Sequence, residues 1–356
     1  MATNQPELIA HHEDGPALVN SSAGADFTNQ VIFNRIKYIA SSRDNSRIQL
    51  LSSSSLALRR IDEIVRKDYL FNSWNRKANY VAVDTFTSFC WQMVGARTNL
   101  LEHKNLPPDV QLCDSETDRI DFLRAAFASD PELTEFIQAS YNRTALFNDV
   151  LCLIAKCKQN CVAPESCSSY ELFPKIFKAY NEQLAMAHAI DADDVLNISY
   201  HALLESPMAR RVYHGAKDFP IVLEAQNLTF SQYRFVKMLF VGKFNNLMLV
   251  GDSSGRNFDS DYHDFMTKDF VADFAPAIYH LSKDDVPPPV KSDTVQPKIT
   301  KLPAMRGLRI APLNNFTQHS SKAPATLSKL KSAEPSQSAS SSWPSTPSGK
   351  RDDDNK

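Results

Sequence analysis

Nothing in this chain reaches the roughly 18 consecutive apolar residues that a membrane-spanning helix needs. The N-terminus is polar and carries acids, unlike a secretory leader, so the sequence predicts an intracellular protein without a membrane partner. Charge of neither sign prevails. Lys and Arg number 39 against 41 Asp and Glu, for a formal charge of −2, which gives no global attraction to nucleic acid. DNA binding would have to come from a local surface. The six cysteines contain no CxxC pair, and Cys152, Cys157, Cys161 and Cys167 cluster without a nearby His. That spacing is a poor match to a zinc site and reads instead as reduced thiols on or beside a helix.

What the chain does have is enough apolar residue for a core. With 356 residues, 43% hydrophobic and 22% charged, it can form one large or two ordinary domains plus a tail. Strand-like runs at 16–20, 47–51, 80–84, 220–224 and 246–250 alternate with helical stretches, the pattern of a parallel α/β sheet. Residues 101–205 interrupt that alternation with apolar residues at helical spacing, such as Ile120, Leu123 and Phe127, then Ile176, Phe177, Tyr180 and Leu184. They predict an all-helical insertion between the two halves, 1–100 and 206–285, of an α/β domain. After Pro287-Pro288-Pro289 the segment 286–356 is rich in Ser, Pro, Lys and Ala, and is expected to be disordered. Between 286 and 333 it holds eight Lys/Arg and one Asp, which suits a solvated linker or an electrostatic arm for nucleic acid.

Several short runs carry chemistry. Residues 15–28, Gly-Pro-Ala-Leu-Val-Asn-Ser-Ser-Ala-Gly-Ala-Asp-Phe-Thr, place an apolar strand and small residues before a helix, the setting of a phosphate-binding loop. Such a loop needs Gly-Lys-Ser/Thr where Asp26, Phe27 and Thr28 stand. Residues 48–65 give a strand, a run of serines from Ser52 to Ser55 and an amphipathic helix; residues 81–94 give another strand entering a helix through Thr85-Phe86-Thr87-Ser88-Phe89. Then come Ile190-Asp191-Ala192-Asp193-Asp194-Val195-Leu196, Ile221-Val222-Leu223-Glu224-Ala225-Gln226-Asn227 with Gln232, and Leu247-Met248-Leu249-Val250-Gly251-Asp252. In this order the chain resembles, over roughly residues 5–285, the first motor domain of UvrD/Rep-type superfamily 1 DNA helicases. That family's patterns are GAGSGKT, TFTNKAAREM, TFHSF, DFDDLL, VDEFQD and VGDxxQ. The resemblance implies a P-loop NTPase-like parallel sheet with a small helical subdomain.

It also implies which residues would form the nucleotide site: Gln5 as an echo of the adenine-reading Gln, Ser22, Gly24, Asp26, Phe27 and Thr28 in the phosphate loop, and Asp252 in the last motif. Glu224 is the remaining candidate for a catalytic base. Thr85, Phe86, Ser88 and Phe89 fall in the segment that meets single-stranded DNA, where an aromatic can stack on a base for about 1–3 kcal/mol; the alternative is that Phe86 and Phe89 fill the core. Asp191, Asp193 and Asp194 resemble a metal cluster on paper, but acids there also suit a helix start, where they complement the dipole and cap free N–H groups.

The departures from the family decide the expectation. Phe27 stands in place of the Lys that meets the β/γ-phosphates. Leu223 replaces the Asp that would hold Mg²⁺, a hard cation needing oxygen ligands. Gly255 replaces the Gln that senses the γ-phosphate, and Ser282-Lys283-Asp284-Asp285 stands where an arginine-bearing element of a second motor domain would begin. The sequence therefore predicts a catalytically inactive helicase-like protein binding single-stranded DNA or a DNA-repair or replication protein, with no cofactor. The alternatives are an ATPase or helicase with an unorthodox phosphate site, using ATP and Mg²⁺, and a truncated relic.

Overall fold

A computed structural model describes residues 4–13, 15–71, 80–95, 107, 109–167, 170–214, 218–240, 246–252 and 264–287. The expected disordered tail from residue 288 on, and Gly255, lie outside the described residues. Six strands form one parallel sheet: β1 (Ala17–Ser21), β2 (Arg47–Ser52), β3 (Tyr80–Thr85), β6 (Phe219–Leu223), β7 (Met248–Gly251) and β8 (Ala277–Leu281). Their spatial order is β3-β2-β6-β7-β1-β8. All pairings are parallel, so both sheet faces must be covered by crossover helices.

The sequence explains how both faces are filled. Every residue of β6 (Phe-Pro-Ile-Val-Leu) and β7 (Met-Leu-Val-Gly) is buried. Because strand side chains alternate with a period of two, Leu18, Leu51, Val222 and Leu249 point to one face. There they pack with helices α4 (Phe86–Gly95), α9 (Ala192–Glu205), α10 (Pro207–His214) and α11 (Phe230–Phe240). Val19, Leu50, Leu223 and Val250 point to the other and meet α1 (Gln5–Ala10), α2 (Ala25–Ser42) and α3 (Ser55–Phe71). A shift of one residue in any strand would exchange the two sets, so register is strongly fixed.

The five strands expected from the sequence are all present. The sixth, β8, is not among the strand-like runs read from the sequence, yet Ala277–Leu281 pairs along the whole of β1. Its signal is weak because it is an edge strand in which only Leu281 is buried, so it lacks the continuous apolar run of β6 and β7.

The insertion has its own core, built by α5 (Glu116–Ala128), α6 (Pro131–Ala139), α7 (Arg143–Gln159) and α8 (Phe173–Met186) around Leu123, Phe127, Leu133, Ile154, Phe177 and Tyr180. Ser115, Asp130 and Asn142 cap the first three by accepting bonds from backbone N–H groups of the first turn. One feature departs from an all-helical insertion. Strands β4 (Gln111–Cys113) and β5 (Ala189–Asp191) form a short parallel pair that closes the insertion where the chain enters and leaves it. By packing, α9 joins the sheet core rather than that of the insertion. Among the described residues no helix is long and apolar enough to cross a membrane.

Candidate nucleotide and nucleic-acid site

In an open parallel sheet, ligands bind beyond the carboxyl ends of the strands, where the strand order reverses. Here β1 lies beside β7, and β7 beside β6. The register Asn20↔Gly251 and Leu223↔Val250 places Ser21, Asp252 and Glu224 at nearly one level on those adjacent strands. Three motif segments distant in sequence thus meet at one edge of the sheet.

At the end of β1 the loop turns through Gly24, whose φ of +93° is a conformation glycine adopts at little cost. Helix α2 follows at Ala25. Thr28 is buried, and its hydroxyl donates to the carbonyl of Gly24 at 2.8 Å while receiving the Ser21 hydroxyl at 2.6 Å. The backbone N–H of Ser22 donates to Leu281 of β8 at 2.8 Å. Asp26, exposed in the first turn of α2, sets a carboxylate against the helix dipole's positive end, where an anion would otherwise be favoured. Phe27 is half-buried and packs against the apolar cluster under the sheet.

Leu223, 4% exposed, belongs to that same cluster. The next residue, Glu224, has φ 52° and ψ 41°, a left-handed conformation that costs a non-glycine residue about 1–2 kcal/mol. Gln226 reaches across to β7, where its Oε1 accepts the N–H of Asp252 at 3.1 Å. This close approach explains Gly251: a Cβ there would collide with the Gln226 amide and come within 2.7 Å of Met266 Sδ. Gln232 does the equivalent for the serine loop after β2, accepting from Ser53 Oγ at 2.9 Å and from the Thr229 N–H at 3.1 Å. These glutamines tie the sheet-edge loops together, a role the linear motif does not reveal. Gln5 opens α1, and its amide oxygen is buried without a hydrogen-bond partner among the described residues.

The segment 85–89, read from the sequence either as a single-strand contact or as core, is packed into the fold. Phe86 and Phe89 are 2% and 5% exposed, and Phe89 makes an edge-to-face contact with Phe235 at 6.1 Å. Neither ring offers a face to a base; both fill the core. Thr85 Oγ1 accepts the N–H of Ser88 at 3.0 Å, and Ser88 Oγ donates to Asp84 at 3.1 Å, so both hydroxyls help to start α4. Phe89→Ala is expected to destabilise the protein by about 3–5 kcal/mol while leaving single-strand affinity of the folded protein unchanged. Denaturant titration beside DNA titration checks this. A stacking role would give a small stability loss and a large loss of affinity.

The acid cluster starts a helix, as its composition suggests. Asp191 caps α9 by accepting the Asp194 N–H at 2.9 Å. The sequence does not reveal the partner: Lys158, at the end of α7, lies buried with Nζ 2.6 Å from Asp191 and 2.7 Å from Asp194. Burial works against the Lys158 ammonium, yet the two carboxylates outweigh it and raise its pKa. Burial likewise opposes ionised Asp191, but Lys158 beside it holds its carboxyl below the usual range. Among the described residues no three His, Cys, Asp or Glu side chains form a group able to hold a metal ion.

Residues 1–254 match the family model of the UvrD/REP helicase N-terminal domain. The chain is 25% identical over 268 residues to the ATP-dependent DNA helicase PcrA of Staphylococcus aureus. It is 23% identical over 266 residues to PcrA of Staphylococcus epidermidis. Each match covers 71% of this chain and 33% of the relative, so the chain spans about a third of the length of these relatives. The sheet, its inserted helices and the ordered motif segments agree with this match: the chain belongs to the UvrD/REP helicase family through the N-terminal domain.

Proposed function

We propose that this protein is a helicase-derived binding module that does not hydrolyse ATP and engages single-stranded DNA. One observation carries the reading. The two positions where phosphoryl transfer needs a cation and a metal-holding carboxylate, Phe27 and Leu223, both pack into the same apolar cluster beneath the sheet. Neither side chain supplies a group to phosphate or Mg²⁺, and the only hydroxyl at the loop's metal position, on Thr28, already bonds Gly24 and Ser21. The residues present do not fit ATP·Mg²⁺. Loss of a single such group lowers rates by orders of magnitude in phosphoryl transfer.

DNA is favoured as partner by family membership and by the relatives, each named a DNA helicase, and the single strand is the form that the resemblance in the motif segments implies. The intact double-sided core supports a working module over a relic. Fluorescence anisotropy of a labelled single-stranded oligonucleotide with the full chain tests the proposal. Expected is saturable binding that weakens with salt and is unaffected by ATP·Mg²⁺. Failure to bind DNA at low salt would refute DNA as the partner, and release on ATP·Mg²⁺ addition would refute the loss of nucleotide coupling.

A further inference from the structure

The insertion contains a pair of thiols that the helicase-like reading does not use. Cys157 lies in the last turn of α7 and Cys167 directly follows the single 3₁₀ turn Pro164–Ser166. The Cys167 thiol donates to Cys157 Sγ at 2.6 Å. Two sulfurs at that separation are closer than non-bonded contact, and a shift of about half an ångström reaches a covalent bond.

The turn itself sets this approach. Asn160 caps α7, and Cys161 takes a left-handed φ of 56° that reverses the chain. The Val162 N–H returns to the Cys157 carbonyl at 2.8 Å, while Ser166 and Cys167 bond back to Ala163 and Pro164. The backbone on both sides of the pair is therefore fixed by hydrogen bonds. Cys167 is buried in the insertion core and Cys157 is half-buried against it. The neighbouring residue Lys158 carries the buried link to Asp191 and Asp194.

We infer that Cys157 and Cys167 are a redox modification site, closing reversibly to a disulfide that locks the turn behind Lys158. The oxidant is a peroxide. The more accessible Cys157 thiolate attacks one peroxide oxygen, the O–O bond breaks, and a sulfenic acid forms as hydroxide leaves. The Cys167 sulfur then attacks the Cys157 sulfur, its proton goes to the departing hydroxyl, and water leaves. Two thiols and one hydrogen peroxide give one disulfide and two waters. Burial and the bond to Cys157 push the Cys167 thiol up to about 12, which keeps it protonated and suits it to the second step rather than the first. A dithiol reductant reverses the reaction by exchange.

The test treats the folded full chain with hydrogen peroxide, quenches remaining thiols with an alkylating reagent and maps tryptic peptides. Expected is a fall in free thiols from six to four, with the dipeptide 157–158 joined to peptide 159–175 through Cys167. Dithiothreitol should restore all six. The oxidised form should melt roughly 5 °C higher than the reduced form, as closing a short loop implies. Cys161→Ser should keep the linkage and the melting shift, its free thiols falling from five to three, whereas Cys157→Ser should abolish the linkage. The mapping needs no altered protein, so it stands even where a variant fails to fold. Linkage through Cys161 or Cys152, or six thiols persisting under peroxide, would overturn the inference.

Discussion

Lys158→Met is expected to lower stability by about 3–5 kcal/mol, because it removes the cation from a buried ion cluster and leaves its carboxylates unpaired. Lys158 is 4% exposed and Asp191 is fully buried, at 2.6 Å from each other. The cluster joins three parts of the fold: α7 supplies the lysine, β5 ends in Asp191 and α9 carries Asp194. Tyr180 of α8 adds a longer bond to Asp191 at 3.4 Å. Adding Asp191→Asn to the methionine variant should recover part of the loss, since it removes a buried charge and keeps an oxygen to cap α9. Urea unfolding of the three proteins reads this out. A single variant within about 1 kcal/mol of the parent would contradict the account, that being the scale of an exposed pair.

The same cluster predicts a pH dependence of stability. Burial, and Asp191 beside it, push Asp194 from 3.8 up to about 7. Its folded pKa is thus above its unfolded one, so the folded state binds the extra proton between those values. Stability from this group is fully present below about pH 4 and is lost as pH rises through about 7. Asp191 is shifted the other way, so its contribution is present above the ordinary carboxylate range and is lost on acidification below it. Melting temperatures between pH 5 and 8 should therefore decline with pH in the parent and decline less in Asp194→Asn. Equal slopes would contradict it.

Restoring the phosphate loop should have the largest effect on ligand binding. The parent is expected to bind ATP·Mg²⁺ no more tightly than about millimolar, near −4 kcal/mol. Asp26→Gly with Phe27→Lys removes a carboxylate from the start of α2 and supplies a cation there, re-forming an anion site at a helix N-terminus. A gain of at least about tenfold in affinity is expected, roughly 1.4 kcal/mol, seen as a nucleotide-dependent rise in melting temperature. Phe27 also covers part of the apolar cluster, so the unliganded variant should melt below the parent. Leu223→Asp is a poorer third change, because it would set a carboxylate where the leucine is 4% exposed. No nucleotide shift in the well-folded double variant would contradict the assignment of the lost site to these two side chains.

Much of the fold is legible in the chain because parallel strands buried on both faces are continuous apolar runs, as in Ile221-Val222-Leu223 and Met248-Leu249-Val250. What escapes is edge and tertiary information. β8 buries only Leu281, and the β4–β5 pair is three residues long on each side, too short for a period of two to register. Phe86 and Phe89 suit a base or a core equally in one dimension; only the position of Phe235, far along the chain, separates the readings. Lys158 gives no hint of Asp191, 33 residues on, since a buried charge pair leaves no periodicity. The motif glutamines can be named from the sequence, but their bonds to Asp252 and Ser53 depend on three loops arriving at one sheet edge.

Steady-state ATP hydrolysis by the full chain, with and without single-stranded DNA and Mg²⁺, tests the central claim most directly. The packing of half-buried Phe27 and buried Leu223 into one apolar cluster predicts no turnover above background under any of these conditions, and no difference between the parent and Glu224→Gln. Turnover that is stimulated by single-stranded DNA and abolished by Glu224→Gln would contradict it.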